Sequence, residues 1–160
     1  MAYLGVLVAI AIAGAWLYQV AGSRAVGAQR EKEAQLLFAG DQIARAIGRY
    51  YASGPVPGCY PPDLQALLDD HRLGGVTQRH LRHVYADPMT GKTAWGELRD
   101  ELGNLRGVYS TSDASPYKQA NFPAGYRAFA GKQHYREWHF LPADTRVPPA
   151  PPEACLRRSG

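Results

Sequence analysis

Five histidines and their acidic neighbours are the residues of this chain that could hold a metal ion. His80 and His83 are three positions apart, which would place both on one face of a helix, and Asp87 follows them. A zinc site needs three or four ligands that converge, usually with a second cluster at a recognisable spacing. The remaining histidines are scattered, at His71, His134 and His139. We therefore predict no metal site and no cofactor.

Hydroxyl and phosphate-loop chemistry are the next possibilities that the sequence raises. Ser110 and Ser112 lie near Asp113, but no Gly-x-Ser-x-Gly elbow surrounds them and no histidine is placed as a base. The segment 87–92, DPMTGK, lacks the glycine spacing and the Lys-Ser/Thr pair of a phosphate-binding loop. Asp-Pro and Thr-Gly are typical of turns. We predict that the protein is not an enzyme.

Cys59 and Cys155 are the two cysteines of the chain and lie far apart in the sequence. Both occur in loop sequence rich in proline or glycine and not within an apolar stripe. A single pair of this kind is typical of a disulfide in an oxidising compartment. Two buried free thiols are the alternative. We predict the disulfide, which would pin the proline-rich tail to the loop around Cys59.

Length and charge limit the remaining classes of function. The chain has 160 residues, 46% of them hydrophobic, which is enough for one folded domain. Its formal charge of +4 comes from dispersed lysines and arginines, with acidic residues between them and no run of five. This pattern indicates a mixed, solvated surface. We predict that the protein does not bind nucleic acid.

Residues 1–22 have the composition of a transmembrane helix. No charge precedes Arg24, and about 20 apolar residues cross the hydrocarbon core of a bilayer as a helix. A cleaved signal peptide would begin with basic residues, and none precedes this apolar run. Alanines recur four positions apart, which permits close helix–helix approach in a membrane, although alanine is also simply common in such helices. The residues that we predict for the membrane and assembly face are Gly5, Ala9, Ala11, Ala13, Gly14 and Ala15.

The helical pattern continues beyond the apolar segment, through residues 23–53. No proline interrupts it, and apolar residues recur at spacings of three and four on an otherwise polar helix. Ser53-Gly54-Pro55 is a stop signal. An unbroken helix of about 50 residues would be roughly 75 Å long, too long for a compact domain of this size. The predicted core stripe consists of Leu36, Ile43, Ile47 and Tyr50.

Residues 54–160 would form a small α+β globular region with a proline-rich, extended tail. Asp63 is a good N-cap for a short helix 64–70, and a second helical stretch would cover 77–85. Strand patterns occur at 93–98 and 105–112, and YREWHFL at 135–141 alternates aromatic and polar residues. We predict an antiparallel sheet of about three strands, laid against the second half of the long helix.

The order of these segments resembles the type IV pilin and type II secretion pseudopilin superfamily, in particular its major pseudopilin group. The block 79–96, RHLRHVYADPMTGKTAWG, is the most specific part of the resemblance. The other stretches that carry it are AYLGVLVAIAI (2–12), AQREKEAQLLFAGDQIARAIGRYYASGP (28–55), YPPDLQALLDDHR (60–72), GVYSTSDASPYKQANFP (107–123) and YREWHF (135–140). The resemblance implies a pilin-like α+β fold. In that fold the first half of the long N-terminal helix spans the membrane, and the second half packs against a small antiparallel sheet.

The resemblance also implies a function: a structural subunit that assembles through its N-terminal helix into the filament of a type II secretion or type IV pilus-like machine. Its partners would be further copies of itself or other pilin-like subunits, inner-membrane lipid and the assembly machinery. We expect a single-pass protein of the bacterial inner membrane with its globular part in the periplasm. The alternative is a membrane-anchored periplasmic accessory or binding protein that does not polymerise.

Two features of the N-terminus bear on this expectation. Family precursors carry a short basic leader ending in glycine, which a prepilin peptidase removes before it methylates the new terminus. Met1 would then be the processed first residue, unless the start is truncated. Gly5 stands where many members carry a glutamate that pairs with the terminus of a neighbouring subunit, so that contact is weakened here.

Orientation and calcium binding are the two remaining expectations. Arg24, Arg30 and Lys32 follow the apolar span, which by the positive-inside rule alone would favour a cytoplasmic C-terminus. The periplasmic orientation therefore comes from the resemblance and from the loop-rich sequence with its distant cysteines. Related major pseudopilins bind calcium in a loop, but the loop after Ser112 offers only Asp113 as an obvious carboxylate. We therefore do not extend calcium binding from the family to this chain.

Overall fold

The chain begins with one uninterrupted α-helix, α1, at Ala2–Ala52. The computed structural model describes residues 2–143 and 146–156, with the side chains of residues 2, 4, 9, 11–24 and 156 outside the description. Helix α1 contains 51 residues, which corresponds to about 77 Å at 1.5 Å per residue. It contains no proline, and it ends just before Ser53-Gly54-Pro55, where proline removes a backbone donor. The helix thus continues through both of the segments predicted at 1–22 and 23–53.

The second half of α1 carries the hydrophobic core. Leu36, Ile43, Ile47 and Tyr50, the predicted core stripe, are between 0% and 3% exposed. Their spacing of seven, four and three residues keeps them on one face of a helix with 3.6 residues per turn. That face is covered by apolar side chains from the rest of the chain, among them Leu67, Leu81, Trp95, Leu105, Val108, Phe129, Tyr135, Trp138 and Phe140.

Gly40 occupies the middle of this buried face because a ring lies directly on it. A Cβ atom built at Gly40 would lie 2.4 Å from Phe140 Cγ, a distance that no packed structure tolerates. Glycine inside a helix costs roughly 1 kcal/mol relative to alanine. Here that cost is offset by the close approach of Phe140, which is fully buried.

Two short strands form an antiparallel sheet: β1 at Gly96–Arg99 and β2 at Leu105–Tyr109. The register pairs Gly96 with Tyr109 and Leu98 with Gly107, and it shifts by one residue between Leu98 and Arg99. Leu105 and Val108 of β2 are fully buried in the same core as the α1 stripe. The fold is therefore of the α+β class, with a long N-terminal helix and a small two-stranded sheet.

The predicted third strand at 135–141 is wrong. This segment instead forms a 3₁₀ helix at Tyr135–Glu137, followed by a single antiparallel bridge between Val108 and Phe140. Three residues per turn bring Tyr135 and Trp138 to the same side, and both are fully buried together with Phe140. In a strand, where successive side chains alternate between faces, Tyr135 would lie on the face opposite to Trp138 and Phe140.

Two helices predicted in the globular region are also wrong in type or extent. The predicted helix 64–70 is reduced to a 3₁₀ turn at Gln65–Leu67, although Asp63 Oδ1 does accept a hydrogen bond from the Ala66 N–H at 2.9 Å. The predicted helix 77–85 is not helical. The N–H groups of His80 and Leu81 both donate to the carbonyl of Leu67, so they are not available for helical bonds within their own segment.

Cys59 and Cys155 form the predicted disulfide, with their Cα atoms 5.6 Å apart. The tail predicted as extended contains one short helix, α2 at Pro152–Leu156, which begins with a proline as many helices do. Next to the bridge the tail runs against Gly58, whose φ of +93° favours glycine. A Cβ at Gly58 would lie 2.5 Å from the backbone of the tail, so the close approach also requires glycine there.

Candidate functional site

The histidines that could have formed a metal site lie in separate environments. His80 is buried, and its Nε2 lies 2.9 Å from Asp70 Oδ2. The other four contact different neighbours: His71 with Thr77, His83 with Tyr85, His134 with the Asp113 carbonyl, and His139 with Tyr109. Within residues 2–143 and 146–156, as far as they are described, no three His, Cys, Asp or Glu residues converge as metal ligands would.

Asp87 organises the DPMTGK segment as a turn. Its carboxylate is fully buried and accepts hydrogen bonds from the Met89 N–H at 2.9 Å, from Thr90 Oγ1 at 3.1 Å and from Ser110 Oγ at 2.8 Å. The Ser110 hydroxyl is thus used to hold the end of β2 against this turn. These groups perform the turn chemistry that the sequence favoured over phosphate binding.

The first residues of α1 present an apolar surface. Tyr3, Val6, Leu7, Val8 and Ile10 are between 53% and 86% exposed. Gly5, also exposed, has open space where a Cβ would stand. The other residues of the predicted assembly face lie outside the described side chains, as does Met1: Ala9, Ala11, Ala13, Gly14 and Ala15. Among the residues that are described, no helix is both long and apolar enough to cross a membrane.

Glu33 joins α1 to the loop 115–119 through a buried carboxylate. The residue is 2% exposed, and its Oε1 accepts hydrogen bonds from the N–H groups of Tyr117 at 2.6 Å and Lys118 at 3.1 Å. The Tyr135 hydroxyl donates to the same oxygen at 2.8 Å. Burial raises the pKa of Tyr135 to about 12, so this hydroxyl remains protonated and able to donate. The contact holds the loop 115–119 on α1 at Glu33, the first buried residue among the described side chains of this helix.

Sequence reasoning missed Glu33, although its position contained a signal. Glu33 lies three residues before Leu36, so it falls on the apolar face of α1 and not on the polar one. A charged residue inside an apolar stripe requires partners, because burying an unpaired carboxylate is costly. One turn earlier, Gln29 donates to the Tyr135 hydroxyl at 2.7 Å and extends the same network.

Arg72 caps the C-terminal end of α1. Its Nη2 donates to the Tyr50 carbonyl at 2.9 Å and its Nη1 to the Ser53 carbonyl at 3.2 Å. The last carbonyls of a helix lack intrahelical partners, and a cation there also interacts favourably with the helix dipole. The guanidinium carbon lies 3.4 Å from the centre of the Tyr50 ring, while Nε donates to Asp70 Oδ1 at 2.7 Å. Arg72 therefore ties the helix end to the loop around Asp70.

Asp70 should make the stability of this joint depend on pH. Burial acts to raise the pKa of Asp70, but hydrogen bonds from Arg72 and His80 outweigh it and lower the pKa from 3.8 to about 2. A lowered folded-state pKa contributes stability above the unfolded-state value, and that contribution is lost as pH falls through the folded-state value. The shift corresponds to about 2–3 kcal/mol.

Asp70→Asn is therefore expected to lower the free energy of unfolding at neutral pH by at least about 2–3 kcal/mol. The difference from the wild type should shrink between about pH 4 and pH 2, as the wild-type carboxylate becomes protonated. Urea unfolding of the full chain in non-ionic detergent measures this. Asp69→Asn is the matched control, since Asp69 is half-exposed and lies 3.7 Å from Arg79. A constant gap between Asp70→Asn and the wild type over this pH range would contradict the assignment.

Among the described residues, the second half of α1 is buried against the rest of the chain, whereas the side chains described at its start are apolar and exposed. The joint is made by Glu33 at one end and Arg72 at the other. Within the described residues, this arrangement leaves the apolar side chains at the start of α1 accessible to other molecules. Comparison with known proteins assigns no family: no family model, no curated protein and no solved structure matches the chain.

Proposed function

We propose that this chain is a pilin-like structural subunit, a pseudopilin, that assembles through its N-terminal helix into the filament of a type II secretion or type IV pilus-like machine. The observation that carries the proposal is the contrast between the two ends of one helix. Side chains of the Leu36–Tyr50 stripe are at most 3% exposed, whereas Val6, Leu7 and Ile10 are more than half exposed. The second half of α1 belongs to the domain, and the first half needs other partners.

Physical chemistry limits what those partners can be. Apolar surface in water is unfavourable by roughly 25 cal/mol per Å², so the exposed start of α1 is stable only against lipid or other apolar side chains. In the inner membrane, lipid would surround it. In a filament, the same segment of neighbouring subunits would do so, through a head-to-tail contact that repeats without closing. The subunit would be stored in the membrane and transferred into the assembly.

The disulfide supports the periplasmic location that the proposal includes. Disulfides persist in oxidising compartments such as the bacterial periplasm and are rare in the cytosol. The Cys59–Cys155 bridge belongs to the globular part of the chain. The globular part would therefore lie in the periplasm, with the apolar start of α1 in the inner membrane.

A membrane-anchored periplasmic accessory protein that does not polymerise is the second candidate. It is favoured by Gly5, which is exposed and offers no charge with which to pair the terminus of a neighbour. Such a protein would use the apolar start of α1 as a lipid anchor only. The two candidates differ in one observable property, which is contact between the anchor helices of different subunits.

Cross-linking separates the two candidates. Single cysteines placed one at a time at residues 8–16, with the Cys59–Cys155 bridge retained, should give subunit-to-subunit adducts in the native envelope. The adducts would join two copies of this chain or this chain and another pilin-like subunit. They should peak with helical periodicity, because one face of α1 would make each contact. If no position yields an adduct, the filament proposal fails and the anchored accessory protein remains.

Ala13→Phe is expected to abolish or strongly reduce assembly while the globular part stays folded. Close helix–helix approach requires small side chains, and a phenyl ring at such a position separates the helices. Ala13→Ser, which keeps the side chain small, is the matched control and should assemble. Filament recovery and the yield of cross-linked adduct measure assembly, and retention of the disulfide measures folding. Normal assembly of Ala13→Phe would mean that Ala13 does not lie at a helix–helix contact.

A further inference from the structure

A pocket of about 460 Å³ lies beside the second half of α1, where the segment 79–85 crosses the helix. Gln42 and Arg49 line it from α1. The crossing segment supplies the remaining lining residues, which are Arg79, His80, Leu81, Arg82 and Tyr85. The volume is within the range of pockets that hold small molecules. The pocket lies next to the Arg72 joint, because its lining residue His80 contacts Asp70, and it is separate from the exposed apolar start of α1.

The lining contains three arginines and no carboxylate. Arg49 is held in place, because its Nη2 donates to the His80 carbonyl at 2.6 Å. Arg79 has a carboxylate, Asp69, at 3.7 Å, in a contact whose two side chains are substantially exposed. Arg82 makes no hydrogen bond or ion pair with the described part of the chain. The nearby buried carboxylate of Asp70 already accepts hydrogen bonds from Arg72, so it does not neutralise these three arginines.

Aromatic packing holds Tyr85, another lining residue of the pocket. Tyr85 contacts two rings, with its ring centre 5.7 Å from that of Phe38 and 4.4 Å from that of His83. Its carbonyl accepts a hydrogen bond from Trp95 Nε1 at 2.8 Å. The segment that supplies two of the arginines is therefore anchored at both His80 and Tyr85. A pocket lined by like charges favours an anion, whose binding relieves the repulsion between the arginines.

We propose that this pocket binds an oxyanion, either a phosphate group or a carboxylate group of a small polyanionic ligand. Guanidinium groups present donors in a planar fork that matches two oxygens of a phosphate or carboxylate. The Arg82 guanidinium has no other partner in the described part of the chain, so its donors are available to a ligand. The Arg79 guanidinium can leave its 3.7 Å contact with Asp69 and bind the ligand instead. The inference goes beyond the proposed filament function and does not depend on it.

The position of the pocket favours a dissolved ligand over a lipid headgroup. Gln42 lies 20 residues after the end of the predicted span 1–22, which is about 30 Å along an α-helix. If residues 1–22 span the membrane as proposed, a lipid headgroup would not reach that far, so this choice of source, unlike the anion site itself, rests on the proposed function. The chemistry of recognition is the same for both sources, so the experiment must separate them.

Isothermal titration calorimetry of the full chain in non-ionic detergent tests the proposal, with sodium pyrophosphate and trisodium citrate as probes in chloride buffer of constant ionic strength. We expect saturable binding of at least one probe, weakened about tenfold or more in Arg79→Gln/Arg82→Gln, because each lost guanidinium removes charge-assisted hydrogen bonds. Binding should also weaken as salt is raised. Phosphatidylglycerol added to the micelles should not compete for a dissolved-anion site, whereas competition would assign the same arginines to a headgroup phosphate.

The matched control is Arg45→Gln/Arg136→Gln, which removes the same charge from two exposed arginines outside the pocket, paired with Asp41 and Asp113. This variant should bind the probe as the wild type does. If both double variants bound the probe equally more weakly than the wild type, the loss of affinity would come from the net charge of the chain, and the proposal would be overturned. Failure of the wild type to bind either probe saturably would overturn it as well, and neither result would affect the filament proposal.

Discussion

Replacing Cys59 and Cys155 together by alanine is expected to lower the free energy of unfolding by roughly 4–5 kcal/mol. The bridge joins residues 96 positions apart, so it removes a large amount of chain entropy from the unfolded state. It also holds the tail against the loop after α1, where the Ala150 N–H donates to the Gly58 carbonyl at 3.1 Å. Without the bridge, only weak contacts of this kind would offset the conformational entropy that the tail loses when it is ordered.

Urea unfolding of the oxidised chain, the reduced chain and Cys59→Ala/Cys155→Ala measures this effect. The reduced wild type is the matched control, because it lacks the cross-link and keeps both side chains. The free energies of unfolding of the reduced chain and of the alanine variant should agree within about 1 kcal/mol, because the two forms differ by one buried sulfur, that of Cys59. If the alanine variant were as stable as the oxidised chain, the bridge would add no net stability to the fold.

The features that the sequence predicted well are those set by local pattern. The positions of Leu36, Ile43, Ile47 and Tyr50 in the core follow from helical periodicity, which needs no knowledge of the rest of the chain. The end of α1 follows from Ser53-Gly54-Pro55 in the same way. The disulfide was predictable for a different reason: two cysteines allow only one pairing within a chain.

The third strand could not be predicted from its own residues. YREWHFL alternates aromatic and polar side chains, and by that pattern alone it is a strand. What decides its conformation is the shape of the remaining core: Tyr135 must reach Glu33, and Trp138 stacks on Phe129 with ring centres 5.3 Å apart. A turn of 3₁₀ helix satisfies both contacts, so tertiary packing overrides the local preference.

The contacts of Glu33 and Arg72, at the two ends of the buried half of α1, could not be predicted for a related reason. Glu33 binds groups 84 to 102 residues away, and Arg72 binds carbonyls 19 and 22 residues before it. No local pattern specifies which distant donor a buried carboxylate will meet. A sequence shows that Glu33 interrupts an apolar face, but only the folded chain supplies Tyr117, Lys118 and Tyr135 as its partners.

Glu33→Leu is expected to destabilise the fold by about 3–5 kcal/mol, since removing one member of a buried charged network leaves its partners unsatisfied. Leucine is similar in size to glutamate, so the loss would come mainly from hydrogen bonding. Two backbone N–H groups and the Tyr135 hydroxyl would lose their acceptor, which is a carboxylate on a residue only 2% exposed. Urea unfolding measures the loss of folding free energy. Faster hydrogen exchange at the Tyr117 and Lys118 amides would show that the loss arises in the loop 115–119.

Glu33→Gln separates the hydrogen bonds from the charge. All three donors point to one oxygen, Oε1, which the glutamine carbonyl can replace without moving the helix. Only the extra strength of hydrogen bonds to a charged acceptor is then lost, and we expect a cost of about 1 kcal/mol. The loop amides should remain protected in Glu33→Gln and exchange quickly in Glu33→Leu. Equal destabilisation by the two substitutions would instead show that the charge of Glu33, and not its position as an acceptor, holds the loop on α1.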